Sequence, residues 1–267
     1  MPEKIKLYDD SKCTACRGCQ LACKQWNGLK AKQTVNSGSY QNPPGLQPNT
    51  YMLIRFQDVA DDKGAVKWLF RKEACMHCTE AACVMACPTG ALYYNNDFKI
   101  VGLNREKCIG CKNCVASCPF EVPKYDHETD KVYKCDMCES RIMNGLEPAC
   151  VKACPTGALK WGDKADMMKI AAARVKELGE SASVYGDKFV GGTHLMYVLQ
   201  EKPSVYAELK QDPHVPYSVL AWKSWLKPLS LLAAGGVIGG SFLHYIIHGP
   251  KTPDEDDNQV NKAEGGK

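Results

Sequence analysis

Sixteen cysteines fall in four groups of four along this 267-residue chain, and none is left over. They are Cys13, Cys16, Cys19 and Cys23; Cys75, Cys78, Cys83 and Cys87; Cys108, Cys111, Cys114 and Cys118; and Cys135, Cys138, Cys150 and Cys154. The first and third groups have the spacing C-x2-C-x2-C-x3-C. The gap before the third cysteine widens to four residues in the second group and to eleven in the fourth. Proline follows the last cysteine in three groups (Pro88, Pro119, Pro155), and Lys24 follows it in the first. Cysteines three residues apart on a tight loop converge their sulfurs on one small body, which suits ligation of an iron–sulfur cubane.

This is the run of bacterial two-cluster ferredoxins, where three cysteines hold one cubane and the fourth reaches a second. The remote cysteine is expected to open a helix and so to point at the neighbouring cluster. Zinc prefers separated cysteine pairs, often with histidine, and leaves the third and fourth cysteine of each run unexplained. A disulfide framework belongs to short secreted chains. Four [4Fe–4S] clusters in one row imply an electron wire.

The row is built by duplication. Glu80 to Leu92 and Glu147 to Leu159 agree at eleven of thirteen positions, 67 residues apart, relating the second group to the fourth. Between the second and third groups, Ala91 to Tyr94 and Phe98 to Leu103 are strand-like around the turn Asn95-Asn96-Asp97. One two-cluster unit therefore pairs Cys75, Cys78 and Cys83 with Cys118 (cluster c), and Cys108, Cys111 and Cys114 with Cys87 (cluster d). Topology then pairs the outer groups: Cys13, Cys16 and Cys19 with Cys154 (cluster a), and Cys135, Cys138 and Cys150 with Cys23 (cluster b).

The fold expected is α+β. Two pseudo-symmetric ferredoxin-like 2[4Fe–4S] units carry hairpin and helical insertions, followed by one C-terminal transmembrane helix. The outer unit takes residues 1–30 and 119–160 and the inner unit 75–118. An insert with a hairpin takes 31–74, a cap with a helix 161–221, the anchor 222–249 and a polar tail 250–267. In the insert, Tyr51 to Phe56 and Val66 to Phe70 are strand-like, joined through Asp61-Asp62-Lys63-Gly64. Glu139 to Ala149 is looped out between ligands as a short helix and turn. Asp163 is expected to cap a helix running to about Leu178 and stopped by Gly179. His194, ahead of the strand-like Leu195 to Leu199, has the setting of a structural histidine.

The formal net charge is +4 with cysteines neutral. Oxidised cubanes with four thiolates carry about −2 each, which brings the loaded chain to about −4. Lys12, Arg17, Lys24, Arg71, Lys72, Arg105, Lys107, Lys112, Lys131, Lys134, Arg141 and Lys152 crowd the cysteine groups. Some tune the clusters and others form a solvated face. They interleave with ligands and make no stripe, which argues against nucleic acid. No acid–base pair or nucleophile is evident, so the chain is expected to do no substrate chemistry of its own.

Leu229 to Ile247 runs 19 residues without a formal charge, enough to cross a hydrocarbon core. Trp222 and Trp225 precede it at an interfacial position, with Lys223 and Lys227 able to snorkel. Gly235, Gly236, Gly239 and Gly240 set two overlapping small-residue pairs, which suit a close partner helix. His244 and His248 share a face near one end, open to haem ligation or to an interfacial polar role. Met1 to Asp10 has no apolar core and no twin arginine, so no signal peptide is expected there. The flanking charges leave orientation unsettled.

The chain resembles the iron–sulfur (beta) subunit of membrane-bound, quinone-linked formate dehydrogenases. The resemblance covers nearly the whole chain. It includes Gln25-Trp26-Asn27 after the first group and Arg71 to Cys78. It continues through Cys108 to Cys111, Cys118-Pro119-Phe120, Val132 to Cys135 and Glu147 to Lys152. Gly191 to Leu199, Leu226-Lys227-Pro228 and His244-Tyr245-Ile246 with Gly249-Pro250 complete it. Cysteine runs of this kind are shared with subunits of dimethyl sulfoxide, nitrate and polysulfide reductases. The insert, the GGTH segment and the single span separate the formate group from these. The resemblance implies a catalytic partner with a molybdenum or tungsten bis-pterin site, a haem b (cytochrome b) membrane partner, and quinone beyond it. It also implies export with the partner, the cluster domain on the periplasmic face and the tail in the cytoplasm. The N-terminus departs from it in starting close to the first cysteine. The alternatives are the same subunit of another molybdopterin reductase or a mobile polyferredoxin.

Overall fold

In a computed structural model, residues 3–60 and 64–249 are described. Asp61 to Lys63, the expected junction of the insert hairpin, and residues 250–267 lie outside the described residues. The chain divides into two units, Met1–Val219 and Leu220–Lys267.

The first unit is organised by a strand of alternating character. β1 (Lys4–Asp9, KIKLYD) is buried along nearly its whole length. It runs parallel to β10 (Leu195–Leu199) and antiparallel to β8 (Leu159–Asp163), and β9 (Ser183–Tyr185) completes the order β8-β1-β10-β9. Alternate side chains leave opposite faces of a strand. Ile5 and Leu7 pack with Met196 and Val198 on Met167 and Ala171 of α6 (Lys164–Leu178). Tyr8, Leu195, Tyr197 and Leu199 face the other way, into the core that contains Cys19, Cys23, Cys75, Cys135 and Cys150. The cysteine groups thus stand against one face of a sheet whose other face a helix covers.

Three two-stranded ribbons complete the strand set. β2 (Met52–Ala60) pairs with β3 (Val66–Ala74), and each strand runs four residues further at its C-terminal end than the alternation in the insert implied. Leu53, Ile54 and Leu69 sink into the main core, which is why this hairpin is anchored. β4 (Leu92–Asn95) pairs with β5 (Ile100–Leu103) around the expected Asn95 turn, whose Oδ1 accepts from the Asp97 and Phe98 N–H groups. β6 (Lys124–Asp126) pairs with β7 (Lys131–Tyr133).

Four short helices carry cysteines, namely α1 (Gly18–Trp26), α2 (Ala82–Met85), α3 (Asn113–Ser117) and α5 (Ala149–Lys152), while α4 (Glu139–Met143) starts directly after Cys138. The remote cysteines do not open helices, contrary to the expectation above. Cys87, Cys118 and Cys154 follow α2, α3 and α5. The reason is the proline after each, which disfavours helical backbone in the residue before it. Cys118 is accordingly extended, at φ −74° and ψ 116°. Cys23 has Lys24 after it and stays inside α1, which runs nine residues where its counterparts run four or five.

Two smaller differences concern caps. Asp163 occupies the position before α6, but its side chain makes no capping hydrogen bond. Its backbone is committed to β8, opposite Lys4. Gly179 ends the helix as expected, at φ +97°.

Taken by itself, the C-terminal segment is helical through α7 (Tyr217–Ala221), a π-helical stretch at Trp222–Leu226, and α8 (Lys227–His248). Twenty-two residues rise about 33 Å, enough to cross a bilayer core. Leu231, Leu232, Val237, Ile238 and Phe242 are all exposed. A membrane span has this character; the core helix of a soluble domain does not.

Candidate metal centres

Each cysteine loop turns through the same backbone device. The residue two places after the first cysteine has positive φ in all four loops: Ala15 at 52°, His77 at 49°, Gly110 at 72° and Met137 at 61°. A left-handed residue here curls the chain so that successive N–H groups face a common centre, a concavity suited to anionic groups. Ala15 N–H and Met137 N–H each point at the first sulfur of their loop, 3.4 Å from Cys13 Sγ and Cys135 Sγ. Only one of these positions is glycine, so composition gave no warning of it.

The fold gathers the cysteines into the crossed sets. One cavity is lined by Cys13, Cys16, Cys19 and Cys154, together with Tyr8, Ile54 and Leu159. A second is lined by Cys108, Cys111, Cys114 and Cys87, with Leu92, Leu103 and Val132. Cys78 has Cys75, Cys118 and Cys83 as its neighbouring sulfurs. Cys23 has Cys135, Cys150 and Cys138 among its own. Among the described residues no three Cys, His, Asp or Glu side chains converge on a single-ion site. Four sulfurs standing back around a cavity suit a polynuclear body better than a lone zinc ion.

The sets also neighbour one another in a fixed order. Cys19 of the first set feels Cys150 of the next. Cys135 feels Cys75, and Cys83 feels Cys114. The succession is therefore a, b, c, d. Cys16 and Cys111, in the end sets, are exposed, whereas Cys135, Cys138 and Cys150 in the interior are buried.

Burial is the largest influence on these sulfurs. It pushes Cys19 up to about 11, and Cys114 and Cys138 each to about 12. Burial therefore favours the neutral thiol at these three positions, and ligation of iron there must release protons. Cys150 and Cys87 go the other way. At Cys150 burial opposes the thiolate, but the ammonium groups of Lys6 and Lys72 outweigh it. At Cys87 burial is likewise outweighed, by hydrogen bonds from the Leu92 backbone and from Thr89, whose hydroxyl lies 3.7 Å from the sulfur. The duplicated Thr156 stands 3.8 Å from Cys154 Sγ.

Most basic residues around the groups serve the surface. Lys12 pairs with Asp9 at 3.9 Å, Lys24 donates to the Asn49 carbonyl at 2.8 Å, and Lys131 to the Cys108 carbonyl at 2.6 Å. Arg17 lies over the Phe56 ring, Arg105 over Tyr133, Lys112 over Tyr125 and Arg141 over Trp26. Arg71, Lys72 and Lys134 are buried instead. Lys6 is buried too, and nothing in the cysteine spacing pointed to it. The signal available was its place in KIKLYD, where alternation puts a lysine on an inward face.

The GGTH segment acts as a strap on the second cysteine loop. Thr79 N–H donates to the Gly192 carbonyl at 2.9 Å, Glu80 N–H to Val190 at 2.8 Å, and His194 N–H to Met76 at 2.9 Å. The Thr193 hydroxyl reaches the carbonyls of Gly186 and Leu195 at 2.9 and 2.8 Å. His194 has the structural character expected of it, buried immediately ahead of β10. In the C-terminal unit, the His244 and His248 rings stack on each other, 4.3 Å apart.

Known families and proteins resemble this chain both in its cysteine-bearing region and in its C-terminal segment. Two families described as 4Fe-4S dicluster domains match residues 66–164 and 12–91. The family described as formate dehydrogenase N, transmembrane, matches residues 215–258. The formate dehydrogenase-O iron-sulfur subunit of Escherichia coli K12 is 39% identical over 266 residues, covering 97% of this chain and 88% of that protein. The nitrate-inducible formate dehydrogenase iron-sulfur subunit of the same organism is 40% identical, covering 96% and 89%. The formate dehydrogenase iron-sulfur subunit of Haemophilus influenzae is 39% identical, covering 99% and 87%.

Proposed function

The chain belongs to the family of formate dehydrogenase iron–sulfur subunits, and we propose that its cysteines hold four clusters in the crossed sets a to d. It is an electron-transfer subunit carrying four [4Fe–4S] clusters and a single membrane helix. When bound, each cluster takes up and gives back one electron at a time. The chain supplies position, insulation and charge. The cysteine loops fix the spacing, the apolar core around them excludes water, and no residue needs to move a proton.

The observation that carries this reading is the succession of neighbouring sets with exposed ends at Cys16 and Cys111 and a buried middle. A relay needs two accessible ends and a protected interior. Electrons enter at one end set and leave at the other. The inner unit is 75–118, the outer unit combines 1–30 with 119–160, and the insert, cap and anchor occupy 31–74, 161–221 and 222–249.

The donor is a catalytic subunit with a molybdenum or tungsten bis-pterin centre, where formate gives carbon dioxide, two electrons and a proton. The acceptor is an integral cytochrome b subunit that passes electrons to quinone. The names of the curated relatives support the first assignment. The match at residues 215–258 supports the second, as do the four glycines of α8, around which nothing lies within 4 Å of an added Cβ. The cluster unit is assigned to the periplasmic face, with the resemblance of the sequence as its support.

The test is anaerobic purification of the intact complex, followed by metal analysis and a formate–dye assay. Sixteen irons per chain with formate-dependent reduction are expected. The variants C16S and C154S should lose the same paramagnetic centre, and C23S a different one. Loss of unrelated centres by C16S and C154S would overturn the pairing, and activity confined to another donor would remove formate.

A further inference from the structure

We propose that Lys6, Lys72 and Lys134 form an internal row of fixed positive charges that raises the reduction potentials of clusters a, b and c. Lys72 acts on clusters a and b, Lys6 on b and Lys134 on c. The inference rests on the cluster sets proposed above.

These are the buried lysines among the described residues, with 2%, 1% and 2% of their surface exposed. The lysines that pair with carboxylates are others: Lys12, Lys67, Lys164, Lys169 and Lys210. An ammonium withdrawn from water needs a compensating negative charge or it destabilises the fold. Among the described residues no carboxylate pairs with these three lysines, and the cluster sulfurs stand in its place. Cys150, Cys135 and Cys138 of cluster b act most strongly on Lys6, which also reaches Cys75 of cluster c. Lys72 acts on Cys19 of cluster a and on Cys23 and Cys150 of cluster b. Lys134 acts on Cys75, Cys83 and Cys118 of cluster c.

The backbone aims each lysine inward. Lys6 shares the cluster-facing side of β1 with Tyr8, between the positions that send Ile5 and Leu7 to α6. Lys72 lies on β3 opposite Ile54, its Nζ 2.7 Å from Met52 Sδ. Lys134 donates to the Val101 carbonyl at 2.6 Å and the Cys135 carbonyl at 2.9 Å, which holds its charge between clusters b and c.

Adding an electron makes a cluster more negative, and a nearby cation in a dry interior favours that state. One electron arrives, no bond forms or breaks, and no proton moves. Cluster d has no buried lysine; Lys112 beside it is exposed. The row therefore distinguishes the interior of the relay from its d end.

The test uses the intact complex with Lys6→Met, Lys72→Met and Lys134→Met, measuring iron and labile sulfide first and then titrating the paramagnetic centres against potential. K72M is expected to lower two centres, each about tenfold in its reduction equilibrium, or about 59 mV for one electron. K6M and K134M should each lower chiefly one centre. The Lys→Gln variants keep a hydrogen-bond donor without the charge; they should give the same shifts where methionine prevents loading. Lys→Arg should stay near the wild type. K169M, on the exposed side of α6, should move nothing. Fully loaded variants with wild-type potentials would overturn the proposal, as would an equal shift of all four centres. A wild-type complex with far fewer than sixteen irons would instead sink the cluster sets themselves.

Discussion

His194 donates through Nδ1–H to the backbone carbonyl of His77 at 2.7 Å, across 117 positions of sequence and with both rings fully buried. His77 in turn accepts at Nδ1 from the Val101 N–H at 3.1 Å. The two histidines thus lock the second cysteine loop to β10 on one side and β5 on the other. His194→Ala leaves the His77 carbonyl without its side-chain donor, at a cost of about 1–3 kcal/mol. The melting temperature should fall by several degrees, with cluster c lost preferentially. Iron analysis alongside thermal unfolding checks this; unchanged values for both would show the strap to be dispensable.

Gly110 lies between Cys108 and Cys111 at φ +72°, and a Cβ built there would come 2.5 Å from the Asp130 carbonyl oxygen. That neighbour is backbone and cannot step aside. Gly110→Ala therefore combines an unfavourable left-handed conformation with a direct clash. The expected outcome is loss of cluster d with the other three retained, about twelve irons in place of sixteen. Full iron content in the variant would contradict it. Gly157, also left-handed at φ +64°, has nothing within 4 Å, and its alanine variant should load normally.

The cysteine groups, the duplication and both expected hairpins could be read from the sequence because cysteine spacing, repeat identity and turn residues are local signals. The sheet β8-β1-β10-β9 could not. β1 binds strands some 150 and 190 positions away, and no pattern in KIKLYD names its partners. Its polar alternation also disguises a buried strand, because the face carrying Lys6 meets charged sulfurs in place of an apolar layer. The direction of the remote cysteines was misread for a local reason, the constraint that Pro88, Pro119 and Pro155 place on the residue before them. The left-handed residues of the loops escaped notice because Ala15, His77 and Met137 are not residue types that announce such backbone.

Asp10 gives the fold a pH dependence. Burial pushes its carboxyl up to about 6, although hydrogen bonds from the Tyr206 hydroxyl and the Gln200 N–H draw it partly back. The unfolded chain releases this proton near pH 4. Between about pH 4 and 6 the folded chain therefore holds more protons than the unfolded one, and stability from this group falls as pH rises. Above about 6 the loss is complete, on the order of 3 kcal/mol. Asp10→Asn should remove it. Thermal unfolding from pH 5 to 7.5 should show the wild type declining relative to the variant up to about pH 6 and running parallel above it. A constant difference across the range would refute the assignment.

Membrane attachment should depend on the α8 segment alone. Its leucines, valines and isoleucines are exposed throughout, and burying each such side chain in lipid is worth about 1.5–3 kcal/mol. Val215 and Val219 belong to a cluster with Ala82 and Val190 in the first unit, so a chain ended after Ala221 keeps that packing intact. It should remain folded and retain its iron, yet appear in the soluble fraction, whereas the full chain resists carbonate and high salt and yields only to detergent. Retention of the shortened chain on membranes from cells lacking the partner subunits would locate the attachment elsewhere. Replacing Gly236 and Gly240 by leucine separates span from docking: the variant should stay in the membrane, because apolarity rises, but lose the partner that lies against that face. Co-purification of the membrane partner with this variant at wild-type yield would remove the glycines from the interface.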